Sequence, residues 1–301
     1  MTSPLVYVLL VNWNGLPHLQ ACLPALVQTT YRPYQVIIVD NGSTDGSQAW
    51  VQANYPQVSW LALRENLGFA QANNLGIGRA LAASAAYVVL LNNDTRVESD
   101  WLAALVAAAE GNPHAAICQA RQRTWDGRQE IRFRFLPAWA EAEVFHTPIM
   151  PPGPPQPTPF ASGCAMLLRA AALPAIGLFD ARYFMYVEDV DLTLRAWIAG
   201  YDVLDVPAAV VYHRFAGTAT PTMQRMQWGY RNQLTTLLKL YQPATLRHFW
   251  QEIQARWFRT RNRVALRATL SALIWLPGTL ARRRSIQRRR AVPDAHFLSL
   301  A

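Results

Sequence analysis

The sequence predicts an α/β fold, with a mainly parallel central sheet flanked by helices and followed by a helical, arginine-rich C-terminal extension. Two observations carry this prediction. Short, continuous apolar segments alternate with helical patterns through the first 120 residues, as expected for strands that are covered on both faces. Beyond residue 220 the pattern becomes helical, and arginine dominates the charged residues.

Four strands are predicted in the first part of the chain, from runs rich in apolar and β-branched residues. They cover residues 5–12, 35–40, 58–63 and 87–94. Helical patterns follow each strand, at residues 18–30, from the cap at 43–45, at 69–86, and at 101–111 after the cap at 99–100. This β-α-β-α order predicts parallel strands joined by right-handed crossovers.

The regular alternation ends near residue 120. Residues 124–135 contain an Asp-Gly turn that predicts a hairpin, and seven prolines within residues 148–159 predict an extended surface segment. A strand, a helix ending at Gly200 and a last strand are then predicted at 161–169, 190–199 and 205–213.

Charge is unevenly distributed along the chain. The net charge is +9, yet residues 242–301 alone carry +10, with twelve Arg against Glu252 and Asp294, which leaves the first 241 residues at −1. This distribution, a nearly neutral body and a strongly basic tail, indicates that the tail binds an anionic partner. With 51% hydrophobic residues, the chain has enough apolar surface for a large core and is not a disordered protein.

Cysteine usage and apolar runs suggest a location. Cys22, Cys118 and Cys164 have neither metal-ligand spacing nor the pattern of a disulfide framework, which suits a reducing compartment. The N-terminal segment lacks a basic region and is predicted to be a strand, not a signal peptide. The longest apolar run, residues 268–281, is shorter than the roughly 18 residues of a membrane span. We therefore expect a cytoplasmic protein.

Polar residues follow three of the predicted strands. Asn12 ends the first strand, Asp40 ends the second, and residues 92–94 (Asn-Asn-Asp) end the fourth. Ligands of open α/β sheets bind at this edge, so the three ends predict one pocket. Asp40 can accept a hydrogen bond from a ribose or pyrimidine, and Asp94 can bind a divalent cation. Turn and cap formation is the alternative for each polar stretch by itself.

Seven segments in order resemble glycosyltransferase family 2, which has the A-type nucleotide-sugar fold. They are residues 11–15, 36–47, 66–77, 90–97, 161–169, 184–201 and 211–213. The nearest resemblance is to its rhamnosyltransferase-like branch, which acts on precursors of bacterial surface polysaccharides. It implies a transferase domain at 1–215, with a donor half at about 1–120 and an acceptor half at about 121–215, and a helical extension at 216–301.

The resemblance also implies the site. The donor would be a nucleotide sugar, linked to dTDP or UDP, and the acceptor a saccharide or a lipid-linked saccharide. Asp94 would bind Mg²⁺ or Mn²⁺ with His213 as a further ligand, although Asn92 stands where the family motif has its first Asp. The predicted nucleotide-sugar contacts are Asn12, Asp40, Asn73, Asn74, Asn92 and Arg231. His213 as an ordinary strand-end histidine and Arg231 as helix surface stay open as alternatives.

Three acids at residues 188–191 complete the predicted site. Inverting sugar transfer needs one general base, and the family motif assigns it to Asp189, with Glu188 orienting the acceptor or the loop. Asp191 precedes Arg195 by four positions, so a structural helix ion pair is its simplest role. Two other functions remain open, a sugar-1-phosphate nucleotidyltransferase and a non-catalytic nucleotide-sugar-binding scaffold.

The basic tail has three possible roles. Its Arg clusters at 256–267, 282–284 and 288–290 are interleaved with aromatic residues, which favours in-plane attachment to the anionic inner face of the membrane. A helical cap or oligomer contact is the second possibility. Nucleic-acid binding is not expected, because no motif for it accompanies the arginines.

Overall fold

The computed structural model describes residues 3–214, 222–259 and 263–301. In them the chain forms one eleven-stranded sheet with helices on both faces. The strands are β1 (Val6–Asn12), β2 (Tyr34–Asp40), β3 (Ser59–Ala62), β4 (Tyr87–Leu91), β5 (Thr95–Val97), β6 (Ala115–Thr124), β7 (Glu130–Leu136), β8 (Glu141–Thr147), β9 (Gln156–Pro157), β10 (Ala165–Arg169) and β11 (Asp202–His213). The helices are α1 (Leu16–Leu26), α2 (Ser47–Asn54), α3 (Gly68–Ala82), α4 (Trp101–Gly111), α5 (Leu173–Ile176), α6 (Glu188–Ile198), α7 (Thr222–Leu240), α8 (Pro243–His248), α9 (Trp250–Arg259), α10 (Arg263–Arg288) and α11 (Asp294–Leu298).

The first four predicted strands form the parallel part of the sheet, in the order β3-β2-β1-β4. Their continuous apolar sequences are explained by burial on both faces. Leu9 and Leu10 are neighbours in β1, are both fully buried, and belong to two different cores, one on each side of the sheet. The predicted βαβ arrangement is therefore confirmed in this half.

The other half of the sheet is mixed, where a mainly parallel sheet was expected. β10 lies between β4 and β6 and is antiparallel to both, whereas β6 and β11 are parallel. A parallel β10 would need a crossover connection, usually a helix. The proline-rich residues 148–159 supply an extended segment instead, and β10 starts where β4 ends, with Ala165 opposite Leu91.

Several predicted boundaries shift. The fourth strand ends at Leu91, so residues 92–94 form a turn into the short strand β5. The expected hairpin is formed by β6 and β7, and β8 pairs antiparallel with the other edge of β7. Helix α6 begins at Glu188, so the acids at 188 and 189 belong to its first turn instead of preceding it.

The C-terminal helices pack onto the body. Leu237, Leu240 and Tyr241 near the end of α7 and Phe297 in α11 are buried in the same core as α6. The predicted boundary at 215/216 falls outside the described residues, so the division into domains stays a prediction. Residues 260–262 of the first Arg cluster, and the side chains at 256–259, also lie outside them.

Helix α10 corrects one expectation from the sequence. Among the described residues it is the one helix long and apolar enough to cross a membrane, by length and composition. The uninterrupted apolar run is shorter because Arg267 precedes it, but the helix continues through Pro277. Only 28% of its most apolar 18-residue window is buried inside the protein.

Candidate active site

The first part of the site joins the ends of β1 and β2. Asn12 and Asp40 lie opposite each other in the parallel register, and both are buried. The Asn12 side-chain amide donates to Oδ1 of Asp40 at 3.0 Å, and the backbone N–H of Ser43 donates to Oδ2 at 3.0 Å. These bonds fix the carboxylate, and a lone pair of Oδ2 is left for a ligand donor.

The end of β4 joins the same cluster. The side-chain amide of Asn93 donates to Oδ1 of Asn12 at 2.9 Å. Gly15 must be glycine here, because an added Cβ would lie 2.5 Å from Oδ1 of Asn12 and from Nδ2 of Asn93. The three polar strand ends therefore meet, as predicted. Asn93 was not singled out from the sequence, although it lies between two residues that were.

Two predicted nucleotide contacts, Asn73 and Asn74, lie on α3. Asn73 is buried, and its amide donates to the carbonyl of Phe69 one turn earlier at 2.9 Å. Asn74 donates to the carbonyl of Phe179 at 3.0 Å and accepts from the backbone N–H of the same residue at 3.0 Å. Asn74 thus tethers α3 to the loop before α6, and its contact with the nucleotide stays a prediction.

The predicted metal ligands Asp94 and His213 are brought together by antiparallel pairing of β11 with β5. Nε2 of His213 lies 3.2 Å from Oδ1 of Asp94, and Nδ1 lies 3.1 Å from Oε1 of Gln122, which orients the ring. Burial acts to lower the pKa of His213, but Cys164 and Asp94 outweigh it and raise the pKa to about 10.

Carboxylate oxygen is a suitable ligand for Mn²⁺ or Mg²⁺, and imidazole nitrogen is a common ligand of divalent metals in general. In the described ranges, no group of three or more His, Cys, Asp or Glu is placed to hold a metal ion. Asp94 and His213 therefore fit an incomplete site, to which Asn92 can add one amide oxygen and a diphosphate can add its own oxygens.

The two residues just before β10 connect this edge with the acids of α6. The backbone N–H of Asn92 donates to the carbonyl of Cys164 at 2.8 Å. The backbone N–H of the preceding residue, Gly163, donates to Oδ2 of Asp189 at 3.1 Å. Two adjacent residues thus bind the end of β4 and the candidate base, which the sequence alone did not place together.

Glu188 and Asp189 have different surroundings. Burial raises the pKa of both carboxyl groups, and the neighbouring Asp189 raises that of Glu188 further. Asp189 accepts backbone hydrogen bonds from Gly163 and Val190, which act against the rise. Among the described residues, Oε2 of Glu188 is buried without a hydrogen-bond partner. The negative charge of the pair is therefore better accommodated on Asp189.

Asp191, the third acid, belongs to a buried ion-pair cluster. It pairs with Nε of Arg195 at 2.9 Å and with Nζ of Lys239 at 2.5 Å. Lys239 also pairs with Asp180 at 2.9 Å. Burial acts to raise the pKa of Asp180, but Arg182 and Lys239 hold it well below its usual range. The structural role expected for Asp191 is supported. Lys239, which links α7 to α6, was missed, although it is the single lysine of the chain.

Arg231 lies on α7 against the C-terminal helices. Its guanidinium lies 4.0 Å from the ring centroid of Trp275, and its Nε donates to Oδ1 of Asn232 at 3.1 Å. Burial lowers its pKa to about 10. Its predicted contact with the diphosphate stays a prediction.

Solved structures share this architecture. A mannosyltransferase from Pyrobaculum calidifontis, in complex with GDP-Man and Mn²⁺, superimposes with a TM-score of 0.58 at 18% identity, covering 100% of this chain and 86% of that one. GalNAc-T7, with UDP, GalNAc and Mn²⁺, gives 0.65 at 17% identity and covers 84% of this chain, which spans about half (52%) of that protein. The fold is therefore that of the A-type glycosyltransferases.

Sequence comparison gives the family. The model described as glycosyl transferase family 2 matches residues 7–177. The chain is 32% identical over 232 residues to the N-acetylglucosaminyl-diphospho-decaprenol L-rhamnosyltransferase of Mycobacterium tuberculosis, covering 69% of this chain and 76% of that protein. This chain belongs to glycosyltransferase family 2 and resembles its rhamnosyltransferases, as the sequence motifs predicted.

Proposed function

We propose that this protein is an inverting, metal-assisted glycosyltransferase that moves a sugar from a dTDP- or UDP-linked donor, rhamnose being the first candidate, onto a lipid-linked saccharide. The observation that carries the proposal is the bond from Gly163 to Asp189, beside the strand end that precedes Asp94. It supports a base and a diphosphate site at one edge of the sheet. The relative that acts on a lipid-linked N-acetylglucosamine diphosphate supports the acceptor class.

In this proposal the residues at this edge have separate roles in the transfer reaction. Asn12 and Asp40 hold the nucleoside. Asp94 with His213 would hold a divalent cation, which would supply positive charge to neutralise the diphosphate. Asp189 takes the proton of the acceptor hydroxyl as that oxygen forms its bond to the anomeric carbon. The bond from that carbon to the diphosphate oxygen breaks with its electron pair, and attack opposite the leaving group inverts the configuration. Glu188 orients the acceptor with its unpartnered oxygen.

Donor binding can be tested by thermal stabilisation with UDP, dTDP, GDP and CDP, each with Mn²⁺, with Mg²⁺ and with chelator. Ligands that bind only the folded state raise its stability, by about 2.7 kcal/mol at 100 times the dissociation constant. We expect a metal-dependent rise in Tm with UDP or dTDP, and loss of its metal-dependent part in Asp94→Asn. The matched control, Asp100→Asn, changes an exposed Asp outside the site and is expected to retain the full rise. Equal rises in Tm with metal and with chelator would contradict the assignment of Asp94 as a metal ligand.

We also propose that the protein works on the inner face of the membrane, attached through α10. Leu266, Leu270, Leu273 and Ile274 are 61%, 52%, 56% and 78% exposed and lie on one face of the helix. Exposed arginines flank this apolar face at positions 263, 267, 282, 284 and 288. Anionic lipid offers hydrocarbon for the leucines and phosphate for the arginines, whereas a second copy of α10 would bring like charges together.

Membrane attachment predicts co-sedimentation with phosphatidylglycerol vesicles at low salt and much less with phosphatidylcholine. The double change Leu270→Glu and Ile274→Glu is expected to remove most of the bound fraction, because it places two carboxylates on the apolar face. Ile149→Glu with Met150→Glu is the matched control, since these residues are exposed elsewhere, at 41% and 54%. Protein that stays in the supernatant with anionic vesicles would refute attachment through α10.

A further inference from the structure

The turn that leads into α6 has an unusual backbone. Tyr186 and Val187 both have positive φ, at 72° and 69°. A left-handed conformation is unfavourable for residues with a Cβ and most unusual for a β-branched one. Among the described residues this is the only pair of consecutive non-glycine residues with positive φ. Such a conformation persists only where its surroundings determine it, and it is common near functional sites.

Asn232 of α7 holds this turn from one side. Its side chain is fully buried, and Nδ2 donates to the carbonyl of Met185 at 3.1 Å and to that of Tyr186 at 2.8 Å. The acceptor Oδ1 is occupied by Nε of Arg231. Both amide hydrogens of Asn232 are therefore committed to the two carbonyls that precede Val187.

The donor half of the chain holds the turn from the other side. The backbone N–H of Phe69, at the start of α3, donates to the carbonyl of Phe184 at 2.7 Å. The approach is so close that a Cβ at Gly68 would lie 2.3 Å from that carbonyl oxygen. The turn is thus fixed between α3 and α7.

The turn sets the position of the two acids. Val187 is the N-cap of α6, and its carbonyl accepts the hydrogen bond from the N–H of Asp191 at 2.9 Å. Glu188 and Asp189 follow in the same helical turn, so a change of the left-handed pair would move both carboxylates and draw Asp189 away from the N–H of Gly163. We infer that Asn232 is a positioning residue, through which the C-terminal helices hold Asp189 in place for the transfer. This inference rests on the role of Asp189 proposed above.

The test combines Asn232→Ala with Val187→Gly. Loss of the two hydrogen bonds should let the turn relax, and small displacements of a catalytic group can lower the rate by about 100-fold. We expect kcat to fall about 10- to 100-fold in Asn232→Ala, with KM for the nucleotide sugar within about threefold of wild type. Glycine adopts positive φ without strain, so adding Val187→Gly should recover most of the lost kcat.

The matched control is Thr236→Val, one turn further along α7. It removes a buried hydrogen bond to the Tyr183 hydroxyl, at 2.8 Å, without touching the turn backbone. Its kcat should stay near wild type. Wild-type kcat in Asn232→Ala, or a loss that Val187→Gly does not recover, would overturn the inference.

Two further variants keep the outcomes separate. If Asn232→Ala does not fold, Asn232→Asp is used instead. Aspartate keeps the shape and the acceptor for Arg231 but has no N–H to donate to the two carbonyls. The same loss of kcat, and the same recovery by Val187→Gly, are expected. Asp189→Asn tests the base itself. An inactive Asp189→Asn with a fully active Asn232→Ala would overturn only the positioning role, whereas an active Asp189→Asn would overturn the proposed base.

Discussion

Replacing Asp189 with Asn is expected to lower kcat for sugar transfer by about 10²- to 10⁴-fold, the range that a general base contributes. The amide has nearly the same shape, and its oxygen can still accept the hydrogen bond from Gly163, which is 3.1 Å long in the native protein. It cannot take up the acceptor proton. Binding of the nucleotide should be unchanged, because Asp40 ends β2 and Asp94 lies in the turn after β4, whereas Asp189 lies on α6.

The measurement is single-turnover and steady-state transfer to a lipid-linked saccharide, together with the nucleotide-dependent rise in Tm. Asp100→Asn is again the matched control, and it should transfer at the wild-type rate. Glu188→Gln is expected to lose less activity than Asp189→Asn, since it orients and does not take the proton. Near-normal turnover in Asp189→Asn would refute the assignment of the base, and an inactive Glu188→Gln beside it would move that role to Glu188.

The largest expected loss of stability follows from replacing Lys239 with Met. Lys239 has 2% side-chain exposure and pairs with Asp180 at 2.9 Å and Asp191 at 2.5 Å. The change breaks two buried ion pairs, which costs up to about 3–5 kcal/mol. The two carboxylates keep their arginine partners, Arg182 and Arg195, so the loss is expected within that limit. Methionine has a similar length and fills the same space. The loss of stability therefore measures the removal of the charge and not the creation of a cavity.

The free energy of unfolding in urea measures this effect. Arg128→Met is the matched control, because Arg128 pairs with Asp126 at 3.7 Å on the surface, where the two side chains are 85% and 57% exposed. Such pairs contribute about 0–1 kcal/mol. A loss in Lys239→Met no larger than that in Arg128→Met would show that the buried cluster contributes nothing to the attachment of α7.

The parallel half of the fold and its polar edge were predictable because they depend on local patterns. Strands buried on both faces have continuous apolar sequences, as β1 and β2 do, and parallel strands bring their carboxyl ends to one edge. Asn12 and Asp40 therefore met as expected. Family motifs added Asp94, His213 and Asp189, whose joint role in catalysis stays a prediction.

The remaining features depend on contacts between distant segments. The direction of β10 is not encoded in its own residues, yet that direction places the two preceding residues, Gly163 and Cys164, where they bond to Asp189 and to Asn92. Lys239 lies in α7, and its own sequence gives no sign that it is buried against α6.

By itself the sequence determined the class of fold and the polar residues that lie at one edge of the sheet, because hydrophobic periodicity and strand order are local properties. Only the tertiary structure decided that the C-terminal helices belong to the body, that Asn74 bonds to Phe179, and that Asn232 holds the turn before the acids. The physical reason is that buried polar groups are almost always hydrogen-bonded, and their partners in the folded chain can lie far away in sequence.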